Sequence, residues 1–317
     1  MKLVNRGGVV CAILTGIRYN RENGMGIYDS IVITGGGGML GHALSDALRL
    51  RGLSPTVLAR GECDVAKESD VRRIFVEHRP TLLLNCAAYT KVDQCETETG
   101  LADAINGHAV GVMAKFSGEF GTKLVHVSTD FVFGGKSDRP YRADDPVNPL
   151  SAYGRSKLLG ETELQKYGPE NWLIVRTAWV YGRHGVNFPR TMVTAARAGK
   201  PLSVVSDQVG SPTYTVDLAW GILELVDHGA RGIYQLTNSG ETNWFEFAKA
   251  ALGGFGVEHP VSAITSADWQ KARPNTAARP SYSVLDMEPF AKLTGKKMRA
   301  WREGLSDYCR EVGTSGF

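Results

Sequence analysis

From Ser30 onward, short β-branched runs alternate with segments of helical period, the pattern of a parallel sheet covered on both faces. The runs predict strands at Ser30–Thr34, Thr56–Ala59, Leu82–Cys86, Leu124–Ser128 and Leu173–Arg176. Between them, Leu40, Leu44, Ala47 and Leu48 recur at the spacing of an amphipathic helix, and Val71, Ile74, Phe75 and His78 do so before Arg79-Pro80 ends the turn. After Thr177 the pattern loosens, with helices expected near Phe188–Ala198, Val216–Asp227 and Trp244–Leu252 and a strand near Gly232–Leu236. The expectation is an α/β chain: a doubly wound parallel sheet over residues 30–180 and a smaller C-terminal α/β portion, 181–317, interleaved with it and mainly binding substrate.

Composition narrows the classes of function. The 317 residues, 43% hydrophobic and 22% charged, can bury a sizeable core and are not those of a disordered chain. A net charge of +3 with scattered basic residues lacks the footprint of a nucleic-acid binder. Cys11, Cys63, Cys86, Cys95 and Cys309 are widely spaced with no Cys-x-x-Cys, so neither a disulfide framework nor a zinc site is expected, and a reducing cytoplasm fits. The seven histidines lack ligand spacing; no catalytic metal is expected, and His126 reads as a satisfied sheet residue. No apolar stretch reaches the roughly eighteen residues of a membrane span. Gly7 to Ile17 is a short apolar run behind Lys2 and Arg6, but it lacks a small-residue cleavage site and leads into Arg18, Arg21 and Glu22. Residues 1–29 therefore read as a poorly ordered leader, with Met25 the expected natural start.

Thr34-Gly-Gly-Gly-Gly-Met-Leu-Gly41 follows the first strand and opens the first helix. There, glycines let backbone approach phosphate and the helix N-terminus supplies amides, so a dinucleotide is expected against Gly35, Gly38, Met39, Leu40 and Gly41. A plain glycine-rich turn fits the same residues. The second strand ends in Arg60, where a basic side chain accommodates a 2′-phosphate; this favours NADPH, with NADH the alternative and an ordinary surface arginine equally compatible. Asp64 and Val65 are placed near the adenine, and the small residues of Ala87-Ala88-Tyr89 leave room for the cofactor backbone, although loop packing explains these positions too.

Tyr153-Gly-Arg-Ser-Lys157 sets a phenol and an ammonium four residues apart, on one face of a helix. A fixed positive charge favours phenolate and is expected to lower a pKa of about 10. A surface tyrosine beside a solvated lysine also fits; the glycine segment upstream and Ser128-Thr129-Asp130 at a strand end weigh against it.

These segments resemble the extended short-chain dehydrogenase/reductase family, which pairs a Thr-Gly-x-x-Gly-x-x-Gly loop on a Rossmann-type sheet with Ser/Thr, Tyr and Lys. Arg60-Gly-Glu-Cys-Asp64, Asn85-Cys-Ala-Ala-Tyr-Thr-Lys-Val-Asp93, Ser128-Thr-Asp-Phe-Val-Phe133 and Arg176-Thr-Ala-Trp-Val-Tyr181 look like its dTDP-4-dehydrorhamnose reductase branch. Asn187-Phe188, Asp207-Gln-Val-Gly-Ser-Pro-Thr213 and Ala278-Arg-Pro-Ser-Tyr-Ser283 extend the similarity to the second half, leaving the leader and a Gly36-Gly37 insertion as departures. The resemblance implies NADPH-dependent reduction of the 4-keto group of dTDP-4-dehydro-L-rhamnose. Tyr153 is then the proton donor, Lys157 tunes it and holds the nicotinamide ribose, and Thr129 aims the carbonyl. Asp130 bonds sugar hydroxyls or assists protonation, Trp179 borders the sugar and Arg279 pairs with the diphosphate, although turn capping, a core aromatic and an ordinary loop arginine fit the same three residues. Asn187 and the 207–213 segment lie on the substrate side, and Asn106 matches the family's asparagine beside the active site. A monomer or homodimer is expected. Two alternatives stay open: a reductase or epimerase of another nucleotide sugar, and a non-catalytic subunit like the regulatory subunit of methionine adenosyltransferase.

Overall fold

The computed structural model describes residues 26–313. Its strands are β1 (Ile31–Thr34), β2 (Thr56–Leu58), β3 (Leu82–Asn85), β4 (Lys123–Thr129), β5 (Leu173–Thr177), β6 (Val180–Tyr181), β7 (Leu202–Val205), β8 (Val209–Gly210), β9 (Thr213–Tyr214), β10 (Gly232–Gln235), β11 (Thr242–Asn243) and β12 (Val261–Ile264). The helices are α1 (Met39–Leu50), α2 (Glu68–His78), α3 (Val92–Cys95), α4 (Thr99–Asp103), α5 (Ala109–Phe120), α6 (Ala152–Tyr167), α7 (Phe188–Arg197), α8 (Thr215–Asp227), α9 (Trp244–Gly254), α10 (Ser266–Ala272), α11 (Glu288–Thr294) and α12 (Trp301–Gly313). A π-helical turn, Ala104–His108, joins α4 to α5.

Six strands form one parallel sheet in the order β10-β5-β4-β3-β1-β2. Side chains alternate across it: Ile31 and Ile33 join a core with Leu44 and Leu48 of α1 and Leu218 and Ile222 of α8, while Val32 joins Val71 and Phe75 of α2 and Val110 and Met113 of α5. Burial on both faces is why these strands read as predominantly apolar runs. Chain order reverses between β1 and β3, and the carboxyl ends there open the crevice in which ligands bind in such sheets. The fold is the expected Rossmann-type doubly wound sheet.

The catalytic candidates ride on α6. Ser151 caps it by accepting from Gly154 N at 3.1 Å, and Glu96 Oε1 takes the Ala152 amide at 2.8 Å. Farther along, Glu161 forms a buried pair with Arg176 of β5 at 2.7 Å and accepts from Ser128 of β4, tying the helix to the sheet.

The second half does not stay apart from the first. After β6 the chain builds small sheets (β7 with β12, β8 with β11, β6 with β9), yet β10 returns to extend the central sheet and α8 to cover it. Tyr181, Tyr214, Phe247, Trp301 and Tyr308 make its own aromatic core. Of the 1–29 segment read as a leader, residues 26–29 belong to the fold: Ile27 and Tyr28 pack on the core, and the Tyr28 hydroxyl bonds Asp227. Residues 1–25, Met25 included, lie outside the described residues. Among the described residues no helix is long and apolar enough to cross a membrane.

Candidate active site

A cavity of about 1040 Å³ opens over the carboxyl ends of β1, β3, β4 and β5. At one end lie Gly35, Gly38, Met39, Leu40 and Gly41; Arg60, Asp64 and Val65; and Ala87, Ala88 and Tyr89, the residues that the sequence groups around a dinucleotide. Gly35 has φ +68° and its missing Cβ would meet Ala87 N at 2.5 Å, so the turn admits only glycine. Helix α1 starts at Gly38 with no side-chain cap and no acid in its first turn. Uncapped amides beside a glycine cradle suit a pyrophosphate, so these residues fit a dinucleotide.

At the other end Thr129, Asp130, Tyr153, Lys157, Trp179 and Arg279 meet, drawn from four separate parts of the chain. Thr129 Oγ1 donates to Asp130 Oδ1 at 3.0 Å and accepts from Phe131 N at 3.2 Å. Asp130 Oδ2 is buried without a partner at bonding geometry among the described residues. Burial pushes this carboxyl up to about 6, and the neighbouring Ser283 and Thr129 hydroxyls offset only part of that.

The expected effect of Lys157 on Tyr153 is not what the site shows. Tyr153, whose exposure is to the cavity, has its phenol pushed up by burial, with the neighbouring Thr129 hydroxyl opposing and Asp130 adding to the rise. Lys157 is not among the groups that move the phenol, and burial pushes the lysine itself down to about 8, with Glu161 opposing. Its Nζ donates to Val127 O at 2.7 Å and lies 3.1 Å from His126 Nε2.

Trp179 adopts φ +49° and stacks face to face on Trp244, ring centroids 3.6 Å apart. Its indole lies so close over Gly210 that a Cβ there would meet Cε2 at 2.6 Å. The 207–213 segment therefore backs this wall and does not line the cavity. Arg279 lines it, held by Asp93 Oδ1 at 2.9 Å. Asn187 does not. It caps α7, accepting from Arg190 N at 3.1 Å and donating to Gly182 O at 2.7 Å, while its neighbours Val186 and Phe188 face the cavity. Asn106, in the π turn, is a clamp outside the cavity: it bonds both backbone groups of Tyr89 and the Ser156 hydroxyl. Trp244 and Cys86 line the cavity without having been singled out from sequence. Trp244 opens an ordinary amphipathic helix, and Cys86 ends a strand.

A parallel sheet with a glycine cradle at its switch point, and a Thr, Tyr and Lys group across the same cavity, defines a dinucleotide-dependent oxidoreductase of the short-chain dehydrogenase/reductase type. Residues 29–314 match the family model described as the RmlD substrate binding domain, and the chain belongs to that family. It is 41% identical to a spore coat polysaccharide biosynthesis protein of Bacillus subtilis, covering 89% of this chain and 97% of that one. It is 40% identical to a dTDP-4-dehydrorhamnose reductase of Mycolicibacterium smegmatis, covering 87% and 84%. A crystal structure of dTDP-4-dehydrorhamnose reductase from Bacillus anthracis in complex with NADP superposes with a TM-score of 0.84 at 36% identity, covering 89% of this chain and 99% of that one.

Proposed function

We propose that the chain reduces the 4-keto group of dTDP-4-dehydro-L-rhamnose with NADPH, giving dTDP-L-rhamnose. The observation that carries this reading is the convergence of Thr129, Tyr153 and Lys157 on the cavity that also holds the glycine cradle. The cradle and α1 amides bind the pyrophosphate, and the Arg60 guanidinium meets the 2′-phosphate. Bound NADPH supplies the hydride. Tyr153 donates a proton to the carbonyl oxygen as negative charge grows there. The burial that raises its pKa serves this direction: the phenol holds its proton at neutral pH until a stronger base develops beside it. Thr129 orients the same oxygen, and Lys157 stabilises the phenolate left behind and anchors the ribose. Asp130 accepts from sugar hydroxyls, Trp179 walls the sugar, and Arg279 exchanges Asp93 for the diphosphate.

The cytoplasm is the proposed location and a monomer or homodimer the proposed assembly. The test is to mix purified protein with NADPH and dTDP-4-dehydrorhamnose, follow NADPH oxidation, and identify the sugar by NMR. Folded protein that leaves NADPH untouched defeats the proposal, and turnover of only a different keto sugar would reassign the substrate.

A further inference from the structure

Under the cavity floor, a hydrogen-bonded chain that the proposed chemistry does not use runs from Lys157 into the sheet. His126 is fully buried; its Nε2 lies 3.1 Å from Lys157 Nζ and its Nδ1 3.0 Å from Asn85 Nδ2. Asn85 Oδ1 accepts from the Ala87 amide at 3.1 Å and the Thr34 hydroxyl at 2.8 Å. A backbone N–H can only donate, so the Asn85 amide is fixed with Nδ2 donating to the ring. His126 Nδ1 must then accept, and the neutral imidazole carries its proton on Nε2, aimed at Lys157. An ammonium has three donors and no acceptor, so a charged Lys157 meets that N–H donor to donor, whereas an amine accepts from it. The ring cannot escape by becoming an imidazolium, which would add a second donor–donor contact at Asn85 Nδ2, since burial and Lys157 both hold its pKa well below the ordinary value.

The other groups around Lys157 do not resolve the conflict. Glu161, one turn further along α6, favours the charged lysine, but its carboxylate is engaged by Arg176 and Ser128. The Cys86 thiol is pushed up to about 12 by burial and stays neutral. Tyr153, one turn earlier, is likewise held protonated by burial.

We propose that His126 is a positioning residue for Lys157: in the unliganded site its Nε2–H favours the lysine as an acceptor, so that filling the cofactor site at a pH where the amine prevails draws a proton onto Lys157. The proton comes from solvent, and no group in the site is oxidised or reduced. The tautomer belongs to the protein alone, while the proton uptake rests on the cofactor reading above, so the two fail separately.

Nitrogen-15 NMR of histidine-labelled, unliganded protein tests the first. Between about pH 6 and pH 9, His126 is expected as a neutral ring protonated at Nε2. Its resonance should shift with an inflection near 8, the titration of Lys157, and that inflection should vanish in Lys157→Met. An Nδ1–H tautomer, an imidazolium, or an inflection that survives in Lys157→Met overturns it. Calorimetry of NADP⁺ binding in buffers of different ionisation enthalpy tests the second. Proton uptake is expected above the inflection, with affinity falling about tenfold per pH unit. His126→Gln, whose amide can donate to the same lysine, should keep that profile, whereas His126→Phe, which has no N–H to offer, should move the onset of uptake to higher pH; a profile unchanged in His126→Phe overturns the role of His126. NADP⁺ bound without proton uptake overturns the linkage. NADP⁺ that does not bind at all removes the cofactor reading and the linkage together, and leaves the NMR result to decide the role of His126.

Discussion

Replacing Tyr153 with Phe removes one oxygen and keeps the ring. That ring stands edge-on to Phe131 at 5.5 Å between centroids and packs beside the buried Cys95, Ala102 and Ala152, contacts the phenyl group retains. A hydrogen bond of the phenol is worth about 1 kcal/mol of stability, too little to unfold a domain held by about 5–15 kcal/mol. The effect should therefore fall on chemistry. A positioned general acid contributes about 10²–10⁴ in rate, or about 3–5 kcal/mol of barrier at 1.36 kcal/mol per tenfold. NADPH affinity should change less than about threefold, because the contacts proposed for its phosphates and adenine lie at the glycine cradle, Arg60 and Asp64, away from the phenol. Stopped-flow absorbance gives the hydride-transfer rate, fluorescence titration the affinity, and circular dichroism the fold. A folded variant whose rate falls less than about tenfold, or whose NADPH affinity falls as steeply as its rate, refutes the assignment of Tyr153 as proton donor.

Arg60→Ala should lower the preference for NADPH over NADH by about 10–100-fold, the loss of one charge-assisted contact to the 2′-phosphate; an unchanged ratio of dissociation constants removes the cofactor assignment. Asp130→Asn should stabilise the protein above about pH 6 by up to about 3 kcal/mol. The sign follows from the raised carboxyl: folding favours its protonated form, so its relative stabilisation is full below about 4 and is lost as pH rises through about 6. The advantage of the variant in urea unfolding should thus be present at about pH 7.5 and absent at about pH 4; equal midpoints at both contradict it. Arg176→Met leaves Glu161 charged and buried without its partner and should cost about 3–5 kcal/mol in the same assay, whereas the double change with Glu161→Leu should recover much of that loss.

Much of this site was legible because its chemistry sits where regular elements end. Gly35 to Gly41 announce themselves by following an apolar run and preceding Leu44 and Leu48, and Tyr153 and Lys157 by a spacing that a helix converts into proximity. The strands were readable because burial on both faces leaves them mostly apolar, their polar residues gathering toward the carboxyl ends. What failed depended on contacts between distant segments. Asn187 looked like a substrate residue in sequence, but its side chain is consumed in capping α7. The pairing of His126 with Lys157 joins β4 to α6 over 31 residues, and no spacing rule signals it. The sign of the Tyr153 shift was missed for a related reason, since a sequence shows the neighbouring charge and hides the desolvation. The 26–29 turn was assigned to a leader because a short turn preceding the first strand carries no periodicity.

The central claim is that the Tyr153 hydroxyl hands its proton to a ketone oxygen beside the nicotinamide. A crystal structure with NADP⁺ and dTDP-L-rhamnose bound tests it most directly. The account predicts Tyr153 Oη within about 3 Å of the sugar C4 oxygen, with that carbon facing the nicotinamide. A sugar seated with C4 more than about 5 Å from the phenol, or a phenol turned away from both ligands, would contradict it.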